Sequence, residues 1–169
     1  MANRVHRLKD VDHEDRILRT FILFVQAGDV TMRYANSHFY RKERLSVIKV
    51  IVLQVLATNG GTMTPSEIAR WTFRERHNIT TLVERLKRDG LVRVERNSSD
   101  KRSVNVSLTA KGRKVLKQAM PVAGEIVNRV MLSISEDDAI PLEKSLRVLR
   151  QNAHDGLEHL AKSAQPQPD

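Results

Sequence analysis

Residues 64–109 read TPSEIARWTFRERHNITTLVERLKRDGLVRVERNSSDKRSVNVSLT, and the fold of the chain turns on this stretch. Thr64-Pro65-Ser66-Glu67 opens a helix as a capping box. The threonine hydroxyl can accept the Glu67 amide, the glutamate carboxylate can reach back, and Pro65 stands where no amide is needed. Ile79, Leu82, Val83 and Leu86 recur at i, i+3, i+4 and i+7, which puts all four on one face of a second helix that Gly90 ends. After Gly90 the period falls to two. Val92 and Val94 alternate with Arg93 and Glu95, then Val104, Val106 and Leu108 alternate with Ser103, Asn105 and Ser107. This predicts a hairpin with one buried face. Its tip, Asn97 to Arg102, holds only turn-forming and charged residues and should project from the body. Two helices joined by a short turn and followed by a projecting hairpin make a winged helix-turn-helix, whose second helix enters the major groove of DNA.

Charge supports that reading. Lysine and arginine outnumber aspartate and glutamate by 29 to 20, but residues 64–117 hold 14 basic against 6 acidic residues while the other 115 hold 15 against 14. An ordinary solvated surface would spread the surplus, so its concentration on the winged segment points to nucleic acid as partner. The chain has no cysteine, which excludes disulfides, thiolate metal sites and cysteine nucleophiles. No apolar run approaches a membrane span, and Arg4, His6, Arg7 and Lys9 are not followed by the apolar core of a signal peptide. The expectation is a cytoplasmic protein without a membrane partner. Enzyme readings find no support: there is no phosphate-binding glycine loop and no HExxH, and His154 and His159 are spaced i, i+5, off the same-face geometry of a helical metal pair. No catalytic group, cofactor or metal site is expected.

The flanks are helical. From Val11 to about Arg41 a long helix carries Ile17, Leu18, Phe21, Ile22, Phe24 and Val25 on more than one stripe, more apolar surface than the small winged segment can cover. A partner subunit is expected to cover it. Gly28 interrupts this helix at about 1 kcal/mol relative to alanine and marks a candidate bend. Tyr34, His38, Phe39 and Tyr40 near its end read either as core or as the lining of a small-molecule pocket. Ser46 to Thr58 is apolar nearly all round and should be the central core helix, stopped by Asn59-Gly60-Gly61, with Thr62-Met63 adding a short strand beside the wing. Thr109 should cap another helix, kinked at Pro121. Ser135-Glu136-Asp137-Asp138 reads as a second capping box, opening a final helix that Pro141 disturbs and that runs to about Ala161. Gln165 to Asp169 reads as a flexible tail.

The fold class is thus mainly α with a small β wing. Residues 1–45 are expected to form an N-terminal helix, 46–109 a DNA-binding winged helix-turn-helix, 110–162 C-terminal helices, and 163–169 a tail.

The run from Ile68-Ala69 through Thr80-x-Leu82-Val83-x-Arg85-Leu86-x-x-x-Gly90-Leu91-Val92 to Asp100-x-Arg102 and Val106-x-Leu108-Thr109-x-x-Gly112 resembles the MarR (multiple antibiotic resistance regulator) family of bacterial transcription factors. The resemblance covers about 50 residues, with its motifs in order at the usual spacings. It implies a dimerisation domain made of the first and last helices (residues 1–45 and 110–162, the latter also serving as linker), two winged lobes reading an inverted repeat, and a repressor released by a small-molecule effector. Half-sites about 10 base pairs apart would each take one recognition helix.

By face, His77, Thr80, Thr81 and Glu84 oppose the apolar set, and Arg76 stands at the helix N-terminus. Arg76 can bond guanine as a bidentate fork, and Thr80 or Thr81 can touch a thymine methyl or a phosphate. His77 either contacts DNA or is a solvated histidine. Arg85 and Arg88 meet phosphates or Glu84. Ser99, Asp100, Lys101 and Arg102 form the wing end of the DNA surface. There Arg102 resembles the family's minor-groove arginine, with Asp100 holding its guanidinium and Lys101 meeting backbone. The start of the recognition helix stays open. Phe73 stands where a turn glycine is common, so either the turn is shaped differently or Thr72 and Glu75 cap the helix early. The competing function is a winged-helix interaction module that binds protein or RNA through the same basic face.

Overall fold

The computed structural model describes residues 14–96 and 104–163. The polar start, the wing tip with Ser99, Asp100, Lys101 and Arg102, and most of the proposed tail lie outside the described residues. Nine elements follow in order: α1 (Arg16–Glu43), α2 (Val47–Thr58), β1 (Thr62–Met63), α3 (Pro65–Thr72), α4 (Arg76–Arg88), β2 (Val92–Arg96), β3 (Val104–Leu108), α5 (Ala110–Val130) and α6 (Glu136–Ser163).

The capping box forms as expected: the Glu67 amide donates to the Thr64 hydroxyl at 3.3 Å and the Thr64 amide to the Glu67 carboxylate at 2.7 Å. The Thr64 amide, followed by its hydroxyl, holds the Glu67 carboxyl below its ordinary pKa. A depressed folded pKa means that this contribution is present above the ordinary carboxylate range and is lost as pH falls through the folded value. Thr64→Ala is expected to cost about 0.5–2 kcal/mol at neutral pH. In urea titrations the gap between wild type and Glu67→Ala should narrow from pH 7 to pH 3.

Helix α1 starts later than the apolar pattern suggested, because Asp15 takes the amides of Ile17 and Leu18 at 2.8 and 3.2 Å and so caps it. It passes through Gly28 without leaving the helix. Thr109 caps α5 by accepting the Gly112 amide at 2.9 Å, and α5 continues through Pro121 to Val130. At α6 the Asp138 amide donates to the Ser135 hydroxyl at 3.1 Å, and the hydroxyl donates to the Asp138 carboxylate. Pro141 sits inside α6 without ending it.

The core is built around α2. Val52, Leu53 and Leu56 are fully inaccessible and meet Ile68 of α3, Ile79 and Leu86 of α4 and Val106 of β3 in one cluster. Of the large apolar residues on α2, Ile51 is the exception and stays exposed. Helix α5 adds Leu116, Ala119, Val122 and Ile126, whereas α1 adds only Ala35 and Phe39 from its C-terminal part.

The sheet is antiparallel in the order β1-β3-β2, with Val94 opposite Val106 and Val92 opposite Leu108. Strict alternation fails at Ser107, which is buried although the pattern put it on the open face. The cause is β1, which pairs Thr62 with Ser107 and places the two hydroxyls 2.9 Å apart. A buried serine with a hydrogen-bonding partner is tolerated where a bare one is not.

Beyond the core a large apolar surface stays uncovered. Nothing from Arg16 to Tyr34 is buried, and no residue of α6 is. Ile17 is 78% exposed, Phe21 56%, Leu132 73% and Leu160 67%. Exposed leucines are ordinary singly, but a run of large apolar residues along most of α1, the α5–α6 connection and all of α6 marks an interaction surface.

Candidate nucleic-acid interface

The turn between α3 and α4 decides where the reading helix begins. Phe73 adopts a left-handed conformation, φ 51°, the geometry for which glycine is the usual choice. Its amide donates to Arg70 O at 3.3 Å, and the Arg74 amide to Ala69 O at 3.0 Å, closing α3. The Thr72–Glu75 cap does not form, because the Thr72 hydroxyl is turned back to Ile68 O at 2.8 Å. Of the two alternatives, the differently shaped turn is therefore the one present, and α4 starts at Arg76.

Helix α4 divides as its spacing predicts. Ile79, Leu82, Val83 and Leu86 are buried, and Arg76, His77, Thr80, Thr81, Glu84 and Arg85 are exposed. Glu75, Arg76, His77, Thr80 and Thr81 line one concave surface at the helix start. No side chain caps this N-terminus and no acid sits in the first turn, so its free amides and Arg76 together favour an anion. The Thr80 hydroxyl donates to Arg76 O at 3.0 Å and the Thr81 hydroxyl to His77 O at 3.2 Å. Both protons are spent on the helix, which leaves methyl groups and acceptor oxygens outward, a better match for a thymine methyl than for a phosphate. Among the described residues Arg76, Arg85 and Arg88 form no ion pair, so the contact with Glu84 offered as an alternative for Arg85 and Arg88 is not made.

The far end of α4 is anchored by residues that sequence reading missed. Lys49 of α2 meets the Asp89 carboxylate at 2.6 Å, and Lys111 of α5 donates to Asp89 O at 2.7 Å. These partners lie 40 and 22 positions away, beyond any local pattern. A joint of backbone on backbone lies beside them. The Thr109 hydroxyl reaches Gly90 O and Leu91 O at 2.8 and 3.0 Å, and a Cβ on Gly112 would lie 2.1 Å from Leu91 O. The wing base and the start of α5 are thereby locked to the end of the reading helix.

The aromatic cluster of α1 splits between its two readings. Phe39 is core, Tyr40 is exposed under the Arg44 guanidinium, and Tyr34 and His38 line an open groove with Val30, Arg33, Ser37 and Arg41. His38 and Lys42 both reach Glu125 of α5, at 2.9 and 2.6 Å, and hold its carboxyl below the ordinary pKa, Lys42 more than His38. This cluster ties α1 to α5. No group of metal-ligating side chains occurs among the described residues, and no helix is long and apolar enough to cross a membrane.

Residues 45–103 match the model of the MarR family. A transcriptional repressor of Bacillus subtilis, YetL, is 28% identical over 119 residues, covering 69% of this chain and 71% of its own. Sco3205, a MarR-family regulator from Streptomyces coelicolor solved in complex with DNA, superposes with a TM-score of 0.76 at 20% identity, covering 85% of this chain and 92% of its own. An organohalide-sensing transcriptional regulator in its 2,4-dichlorophenol-bound form gives a TM-score of 0.76 at 22% identity over 91% of this chain and 90% of its own. Motif, fold and relatives agree: residues 45–103 match the MarR family, and the chain shares the winged helix-turn-helix fold of solved transcriptional regulators of that family.

Proposed function

We propose that the chain acts in the cytoplasm as a homodimeric repressor that reads an inverted repeat in duplex DNA and leaves it when a small-molecule effector binds. The observation carrying the DNA reading is the bare, cationic outer face of α4, with Arg76, His77, Thr80, Thr81 and Arg85 exposed opposite a buried apolar face. In this reading Arg76 takes a guanine edge, the threonine methyls meet thymine, His77 reaches a base or the backbone beside it, and Arg85 meets phosphate. Ser99, Asp100, Lys101 and Arg102 form the wing contact, with Arg102 in the minor groove.

Residues 46–109 are the DNA-binding unit, and α1, α5 and α6 form the dimerisation domain. The uncovered faces of α1 and α6 support this division. The name of the B. subtilis relative supports repression, and the 2,4-dichlorophenol-bound relative supports effector control.

The two arginines should fail differently. Arg76→Ala is expected to cost about 1–3 kcal/mol on a cognate site and to relax preference at one base pair. Arg102→Ala should weaken binding in proportion to flanking A·T content, because a narrow minor groove concentrates negative potential. Fluorescence anisotropy on single-base and flank variants over a salt series separates the two. Unchanged affinity and salt slope for both variants would refute the assignment.

A further inference from the structure

The ring of Phe73, at the start of the turn before the reading helix, is held by α6. The Arg150 guanidinium carbon lies 4.3 Å from the ring centroid, and His154 meets the ring edge-on, centroids 5.7 Å apart at 88°. Both distances fall within the range of favourable cation–π and edge-to-face contacts. Within α6 only Ala139 and His154 are even half-covered, so this contact is where an otherwise bare helix seats on the winged lobe. A bulky side chain in the left-handed region is unfavourable where glycine would be free. Here the side chain reaches a neighbouring element that glycine could not.

We propose that Phe73 is a positioning residue for DNA reading: its clasp by Arg150 and His154 fixes the first turn of α4 relative to α6. Phe73 closes α3 and Arg76 opens α4 directly after the turn, so a shift of the ring swings the end of α4 that carries Arg76 and His77. The inference rests on the proposed reading, in which α4 enters the groove and α6 belongs to the dimerisation domain. In a twofold dimer the clasp then sets the separation of the two reading helices, and with it the half-site spacing that the protein accepts.

The test uses Phe73→Gly, which keeps a residue at ease with φ 51° and removes the ring, together with Arg150→Ala and the double variant. Each is titrated with inverted-repeat duplexes whose half-site separation changes one base pair at a time. Wild type should show a sharp optimum. Each single variant should flatten that optimum and lose about two- to fivefold in affinity at it, the double losing no more than Phe73→Gly alone. An unchanged spacing profile, or losses that add, would overturn the clasp. Arg76→Ala in the same series separates the two ideas: if it loses affinity while Phe73→Gly does not, the clasp alone is refuted, and if neither loses, the reading of α4 falls with it. Should Phe73→Gly unfold, Arg150→Ala, at an exposed position, carries the same expectation by itself.

Discussion

An aspartate placed at Phe21 of α1 or at Leu146 of α6 is expected to turn the proposed dimer into monomers while leaving the winged lobe folded. Both side chains are exposed in the single chain, Phe21 at 56% and Leu146 at 39%, so neither substitution creates a cavity or buries a charge within the lobe. In the proposed dimer the same positions are covered, and each new carboxylate would be desolvated without a partner. Such a buried, unpaired charge costs roughly 2–5 kcal/mol, and a twofold interface incurs it twice, so the dimer dissociation constant should rise by about three orders of magnitude or more. Affinity for an inverted repeat should fall with it, since two linked half-site contacts become two separate weak ones. Sedimentation equilibrium at micromolar concentration and circular dichroism on the same samples give the two readings. A wild-type protein that is already monomeric, or variants that remain dimeric, would contradict the assignment of α1 and α6.

Gly112→Ala is the largest expected loss of stability from one methyl group. Its Cβ would lie 2.1 Å from Leu91 O and 2.8 Å from a Leu108 methyl carbon. The nearer atom belongs to the backbone and also receives the Thr109 amide at 3.1 Å, so it cannot move without opening the joint between β2, β3 and α5. Overpacking of this kind costs about 1–3 kcal/mol and occasionally more, and the rigidity of this neighbour places it at the upper end. For a chain of this size that is a fall in Tm of roughly 6–12 °C. Gly124, on the same helix, provides the control, because a methyl group there would meet nothing within 4 Å. Gly124→Ala should be neutral or stabilising by up to about 1 kcal/mol. Thermal unfolding of both variants checks the contrast, and equal behaviour would mean that the close approach is not maintained.

What could be read in advance was what is local. The capping box at Thr64 and the two faces of α4 follow from residues within one or two turns of each other, and both are present. The hairpin was legible for the same reason, except at Ser107, whose burial depends on a strand 45 positions away. The left-handed Phe73 was visible as a departure from the usual turn glycine, but its seat against Arg150 and His154 depends on where α6 lies. Long-range partners were equally hidden: neither Lys49 nor Lys111 carries any mark that it will hold Asp89. Gly112 stood in the motif without a reason until the approach of Leu91 O supplied one.

The central claim, that two winged lobes in a symmetric dimer read duplex DNA, is tested most directly by selecting bound sequences from a random pool of duplexes with the full-length protein. The enriched sequences should converge on an inverted repeat with half-sites about 10 base pairs apart. Arg76→Ala should lose preference at one position in each half-site. Enrichment of a single asymmetric motif, or no convergence above the input pool, would contradict it.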